Sequence, residues 1–182
     1  MNRKSGFTLI ELMVTVALAA IVLTIGIPSF RTAILNNSRT AQVNEFVGVI
    51  NLARSEAIKR GIRVTICRRL NDTTCATDTT SVWENGWIVF VDQNQDSIID
   101  AGEEILKVYG AIPNNFTLRT GGTFTQSIAY LPSGVSRGNT GSGMGTFRLC
   151  DSRGADQGRF IAISITGRAK VTEKELLEHT CP

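Results

Sequence analysis

The sequence predicts an α+β protein, one long N-terminal helix followed by a head of antiparallel strands, and three observations carry that prediction. Residues 7–30 form an apolar run broken by a single charge, Glu11. Residues 31–60 continue with apolar side chains at roughly helical spacing. After Gly61 the pattern breaks into short β-type runs separated by Gly-, Asn- and Ser-rich turns, and a helix followed by such strands is an α+β arrangement.

Length and composition set the outer limits. A chain of 182 residues has room for one domain and an appendage, which argues against a multidomain enzyme. Its 42% hydrophobic and 19% charged residues are ordinary for a globular protein. The apolar residues nevertheless crowd the first thirty positions, so the average conceals a membrane segment. The net charge of +3 falls to +1 if Arg3 and Lys4 are removed with a leader. A nucleic-acid partner would therefore have to be held by local clustering of charge.

Taken in order, the elements begin with residues 1–6, a short basic leader containing Arg3 and Lys4. The apolar run 7–30 is about 24 residues, roughly 36 Å of helix, against a bilayer core of about 30 Å. A basic leader ahead of such a run stays on the cytoplasmic side and the remainder is exported. A cleaved secretory signal, cut near Ala17-Leu18-Ala19, is the plainer alternative. Glu11 argues against it, because a lone acid in the apolar centre costs about 2.5 to 3.5 kcal/mol on insertion scales. The apolar run also continues past that site, through Ile21, Val22, Leu23, Ile25 and Ile27.

Pro28 lies two residues after Gly26 and predicts a kink or a locally melted stretch. Residues 31–60 read as the amphipathic half of the helix, with Ala33, Ile34, Val43, Phe46, Val47, Ile50, Ala53 and Ala57 among its apolar positions. Gly61 after Lys59 and Arg60 is a helix stop. The head, 61–182, has expected strands at 63–67, 87–91, 105–109, 116–119, 127–131, 146–150 and 159–165, with turns at 120–123 and 136–145. The glycine-rich stretch 138–145 lacks the Lys-Ser/Thr of a phosphate loop and reads as a flexible loop.

Gly6-Phe7-Thr8-Leu9-Ile10-Glu11 resembles the processing signal of type IV pilins and pseudopilins. The resemblance implies that a prepilin peptidase cuts after Gly6, that Phe7 becomes an N-methylated terminus, and that the apolar helix is retained for assembly. It also implies that Glu11 pairs with the terminal amine of a neighbouring subunit, in keeping with the rule that a buried carboxylate is tolerated when paired. Further along, Asn51-Leu-Ala-Arg-Ser-Glu-Ala-Ile-Lys59, residues 64–67, Asn85-Gly-Trp-Ile-Val-Phe-Val-Asp92 and Glu104-Ile-Leu-Lys107 are similar to the GspH/FimT group. That likeness implies the type IV pilin fold, a long helix packed on a two-sheet, sandwich-like head. It also implies a single-pass precursor in the inner membrane with a periplasmic head, partnered by other minor and major pilins in a filament. Minor pilin of a pilus and minor pseudopilin of type II secretion are the two readings it allows.

Within the head, four cysteines, Cys67, Cys75, Cys150 and Cys181, lack the close spacing of a zinc site and fit disulfides in an oxidising compartment. Three pairings are open. Cys67 with Cys75 and Cys150 with Cys181 is the expected one, because it restrains a short loop and the terminal segment.

Asp92, Asn94, Asp96, Asp100 and Glu103 reproduce the ligand spacing of a calcium loop, with Ser97 in place of the usual glycine and a strand in place of the entering helix. A solvated acidic turn is the commoner reading of such a stretch; no other cofactor is expected. Ile165-Thr-Gly167-Arg168-Ala169-Lys170 resembles the Gly-Arg-x-Arg motif associated with DNA capture in FimT-type minor pilins of transformable bacteria. Lys170 keeps the charge but loses the planar fork of arginine, and Arg148, Arg153 and Arg159 could extend the patch toward double-stranded DNA. The alternative is a basic strand end in water, and Glu173, Glu175 and Glu178 oppose a phosphate partner. A lone His179 and the absence of a nucleophile-elbow pattern give no expectation of catalysis.

Overall fold

Helix α1 spans Leu9–Arg60 in a computed structural model that describes residues 6–78, 80–139, 141–154, 157–172 and 181. The chain divides into two compact units, Met1–Ser38 and Arg39–Pro182, and α1 contributes to both. Within the first unit every described residue up to Ile34 is exposed. This stretch is long and apolar enough to cross a membrane. The helix is continuous through Pro28, so the melted stretch expected there does not form. Proline removes one backbone donor, and the flanking turns close regardless: Thr32 Oγ1 donates to the Pro28 carbonyl at 3.0 Å.

In the second unit α1 turns one face inward. Arg39, Val43, Phe46, Val49, Ile50, Ala53 and Ala57 are buried, at the three- and four-residue spacing that aligns side chains along one stripe. The helix stops at Gly61, whose φ of +67° is a left-handed cap. Its N–H bonds the Ala57 carbonyl at 3.0 Å.

Among the described residues ten strands follow, β1 Val64–Asn71, β2 Thr74–Cys75, β3 Trp87–Val91, β4 Ile105–Tyr109, β5 Phe116–Gly122, β6 Ser127–Tyr130, β7 Ser136–Gly138, β8 Gly145–Asp151, β9 Arg159–Ile163 and β10 Ala169–Thr172. They form two antiparallel sheets. The first has the order β4-β3-β1-β6-β7 with β2 beside β1, and the second β10-β9-β8-β5. The fold is the α+β arrangement expected.

The main core joins the helix stripe to both sheets. Phe46 sits edge-on to Trp87 at 4.9 Å, to Phe147 at 4.7 Å and to Trp83 at 6.0 Å between ring centres. Around it pack Val64, Ile66, Val89 and Ile128 from the first sheet and Leu118, Leu149, Ile161 and Ile163 from the second. A smaller cluster, Cys67, Cys75, Ile88 and Phe90, lies with Ile99, Ile105 and Val108. All five residues of β3 are buried, which explains why β3 reads as an unbroken apolar run instead of an alternation.

Three short strands, β2, β7 and β10, stand where no strand was expected. β5 continues through Gly122, into the stretch read as a turn, because Thr120, Gly121 and Gly122 pair with Phe147, Thr146 and Gly145. The expected strand 159–165 stops at Ile163, where a turn closed from the Ser164 N–H to the Arg168 carbonyl begins. The glycine-rich stretch is pinned, not free: the Ser136 hydroxyl donates to the Gly143 carbonyl at 2.6 Å and Thr123 Oγ1 donates to the Ser142 carbonyl at 2.8 Å. A Cβ on Gly143 would stand 2.0 Å from the Ser136 carbonyl oxygen, so the glycine serves close packing there.

Candidate assembly segment and basic hairpin

At the N-terminal end Gly6 and Phe7 are exposed, and α1 opens immediately after Thr8. The Glu11 N–H donates to Thr8 Oγ1 at 3.3 Å, and the Thr8 N–H donates to the Glu11 carboxylate at 3.5 Å. This reciprocal pair is a capping box. Glu11 thus stands in the first helical turn, where the helix dipole favours a negative charge. The capping role was not read from the sequence, although the Thr-x-x-Glu spacing carries it.

The basic motif lies on the hairpin between β9 and β10. Ser164 N–H to Arg168 carbonyl, 3.0 Å, and Gly167 N–H to Ser164 carbonyl, 2.8 Å, close its turn. Gly167 takes a φ of +76°, and a Cβ there would stand 2.2 Å from the Gly134 carbonyl oxygen. The same oxygen accepts from Arg54 Nε of α1 at 3.1 Å, and the Ser136 N–H donates to the Ile165 carbonyl at 3.3 Å. Burial pushes the pKa of the adjoining Tyr130 hydroxyl well up, the Arg54 charge acting the other way. The turn is therefore fastened to the helix and to the β6–β7 connection. Arg54, Gly134 and Tyr130 were not singled out from the sequence, since their meeting depends on contacts spanning 80 residues.

Arg168 and Lys170 are both exposed, Arg168 at the end of the turn and Lys170 within β10. The wider patch is not assembled. Arg148 is 4% exposed and its guanidinium lies over the Phe160 ring at 4.9 Å. Arg153 holds Asp151 at 2.6 Å, and Asp151 also faces buried Arg39 at 3.7 Å. Arg159 is half-buried and donates to the Gly158 carbonyl. Strand pairing brings Arg148 beside Phe160, and burial there removes it from any surface patch. Glu173, Glu175, Glu178 and His179 lie outside the described residues, as do Arg3 and Lys4.

The disulfides join Cys67 to Cys75 and Cys150 to Cys181, with Cα atoms 5.6 Å and 5.9 Å apart. In the loop between β3 and β4, Asp92 is fully buried and paired with Arg63 at 3.0 Å. Asn94, Asp96, Asp100 and Glu103 stand along the same loop. Among the described residues no three His, Cys, Asp or Glu side chains stand close enough together to hold a metal ion on their own.

An apolar helix with one acid in its first turn, feeding a two-sheet head, defines the class of type IV pilin-like subunits. The chain belongs to the GspH family: the model of type II transport protein GspH matches residues 42–167, and that of the prokaryotic N-terminal methylation motif matches residues 1–27. Among solved structures it is similar to the type IV minor pilin FimU of Pseudomonas aeruginosa, at 20% identity and a TM-score of 0.57, over 75% of this chain and 89% of that one. It is also similar to the minor pseudopilin EpsH from the type 2 secretion system of Vibrio cholerae, at 12% identity and a TM-score of 0.51, over 74% and 96%. No curated protein is a significant match to the chain.

Proposed function

We propose that the chain is a minor subunit of a type IV pilus, held in the inner membrane with its head in the periplasm until it enters the filament. The observation that carries the reading is the helix of exposed apolar residues with Glu11 alone among them. Apolar side chains in that number are stable in lipid or against other such helices, and the acid needs a partner in either place. Prepilin peptidase removes residues 1–6, and the amine of Phe7 on a neighbouring subunit is the partner Glu11 takes.

The hairpin of Arg168 and Lys170 gives the head a second task, contact with DNA phosphates. Its support is the presentation of two cations on a turn that Gly134 and Arg54 hold in place. Such contacts are indifferent to base sequence and weaken with salt at a log-log slope of about 0.9 per duplex phosphate engaged. Replacing Arg168 and Lys170 together by Gln is expected to abolish most binding in a gel shift and to lower transformation while pili still assemble. Unchanged affinity at low salt would remove the hairpin as the DNA site.

The likeness to EpsH supports the other reading, a type II secretion pseudopilin. A deletion strain separates the two. Loss of twitching or transformation belongs to a pilus, whereas loss of exoprotein secretion with intact pili belongs to a pseudopilin.

A further inference from the structure

On the face of the first sheet turned away from α1 lies a cavity of about 110 Å³. Val64, Ile66 and Ile128 pack into the core that holds the helix stripe. Successive strand residues point to opposite faces, so Cys67 and Ser127 project to the far side. There the Cys67–Cys75 disulfide, Ala76 and the exposed Ile98 supply apolar lining, and Asp96, Gln126, Ser127 and Asn139 supply polar groups.

The walls are tied to one another by the fold itself. Gln126 Nε2 donates to the Thr77 carbonyl at 3.0 Å, and Asn139 Oδ1 accepts the N–H groups of Gln126 and Ser127 at 2.9 and 2.8 Å. The buried guanidinium of Arg68 donates to the Asp78 carbonyl at 2.6 Å, which holds the segment after the disulfide in place. A pocket fixed in this way spares a ligand the cost of ordering it.

Ser127 shows that the cavity is built for a polar occupant. The residue is 3% exposed, yet among the described residues its hydroxyl has no hydrogen-bond partner. Its partner across the strands is Cys67, and paired residues project to the same face, so the hydroxyl points into the cavity beside the disulfide. A polar group buried without a partner is costly and calls for one.

The chemistry of the lining narrows the class of that partner. None of the described lining residues is basic, which disfavours an anion. Asp96 is the one acid among them, and its oxygens already accept the Ile98 N–H at 2.7 Å and the Asn94 amide at 2.9 Å. An exposed carboxylate shared in this way gains little from an ammonium ion in water. What the cavity offers is a hydroxyl, one unused N–H on each of the Gln126 and Asn139 amides, and spare acceptor capacity on Asp96. Such a mixture beside apolar lining suits a ring with hydroxyls at its edge and C–H groups on its face.

We propose that the cavity binds the hydroxyl edge of one neutral sugar residue. Asp96 accepts from its hydroxyls, Gln126 and Asn139 donate to them, Ser127 meets the deepest one, and Ile98 lies against the C–H face. The volume, room for three or four waters at roughly 30 Å³ each, admits part of one residue and no more. The inference is independent of whether the head belongs to a pilus or a secretion filament, and of DNA contact by the basic hairpin.

The test is saturation-transfer NMR of the full chain in a polyoxyethylene detergent, which carries no sugar of its own. The probes are the methyl glycosides of glucose, galactose, mannose and N-acetylglucosamine. Saturable transfer to at least one of them is expected, with a Kd of about 1 mM. Ser127→Ala removes one neutral hydrogen-bond partner and weakens binding by about three- to tenfold, and Asp96→Asn removes a charged acceptor and weakens it by about tenfold or more. Circular dichroism and disulfide mapping show that each variant is folded. The assignment is overturned by no saturable transfer to any of the glycosides up to about 50 mM, or by undiminished binding in either folded variant. A tighter Kd for butylammonium chloride than for every glycoside would overturn it too, in favour of a charged amine.

Discussion

Phe46 is the side chain through which α1 is fastened to both sheets, and truncating it measures that attachment. The ring is 1% exposed and meets Trp83, Trp87 and Phe147 edge-on, at centroid distances of 6.0, 4.9 and 4.7 Å. Phe→Ala in a close-packed core costs about 3 to 5 kcal/mol, of which three aromatic pairs at about 0.5 to 1.5 kcal/mol each supply a large part. In a close-packed core little can move into the space, so a loss near 4 kcal/mol is expected, about the middle of that range. Domains of this kind are stable by about 5 to 15 kcal/mol, and the loss corresponds to a fall in Tm of roughly 8 to 16 °C. The assay is denaturant unfolding of the full chain in detergent, disulfides intact, followed by tryptophan fluorescence. The chain has two tryptophans, and both touch Phe46. Phe46→Leu keeps most of the volume and should lose about 1 to 2 kcal/mol. A loss below about 1 kcal/mol for Phe46→Ala would refute the packing of residues 39–60 onto the head.

Two further changes test acids that bear on α1. Asp151 is buried between Arg153 and Arg39; burial pushes its pKa up, yet the Arg153 hydrogen bonds and the two positive charges outweigh that and hold it below its ordinary 3.8. A lowered folded pKa stabilises above the unfolded value and is lost as the pH falls through the folded one. Asp151→Asn should therefore cost about 2 to 3 kcal/mol at neutral pH, less than a fully stranded buried charge because Arg39 keeps its bond to the Gln157 carbonyl. The deficit should shrink in unfolding curves taken below pH 3.8, and a deficit constant with pH would exclude the ion pair as its cause. Glu11→Ala should permit cleavage after Gly6, read by intact mass, while depleting the subunit from sheared pili; normal incorporation would dismiss the pairing role.

Much of the fold was legible because burial writes itself as period. The helix stripe from Val43 to Ala57 and the apolar runs of β3, β8 and β9 are all visible as spacing. The three strands that escaped notice have a common cause. Thr74-Cys75, Ser136-Arg-Gly138 and Ala169-Lys-Val-Thr172 are only two to four residues long, too short for an alternation to show, and each is held by a neighbour: β2 by β1, β7 by β6 and β10 by β9. Ser136 in particular pairs with Tyr130 of β6 while its hydroxyl and N–H reach Gly143 and Ile165, and no local signal announces such partners. At Pro28 the helix is continuous and does not melt, since a helix that gives up one donor can continue when the bonds on either side remain.

The candidate sites divide along the same line. Gly6, Phe7 and Glu11 form a contiguous motif, so sequence alone could name them, and the Thr8 cap adds only geometry. The basic residues do not form one group in space. Arg168 and Lys170 stay exposed, two residues apart, because Gly167 turns the chain against Gly134. Arg148 had equal claim by charge, but strand register sets it opposite Phe160, under a ring and out of reach of solvent. Arg153 is engaged by Asp151, two positions earlier, whose burial follows from β8 ending beside the helix residue Arg39. A count of positive charges near the C-terminal strands therefore overstates the cationic surface. What the head can offer a polyanion is set by which guanidinium groups the core and its ion pairs have already claimed.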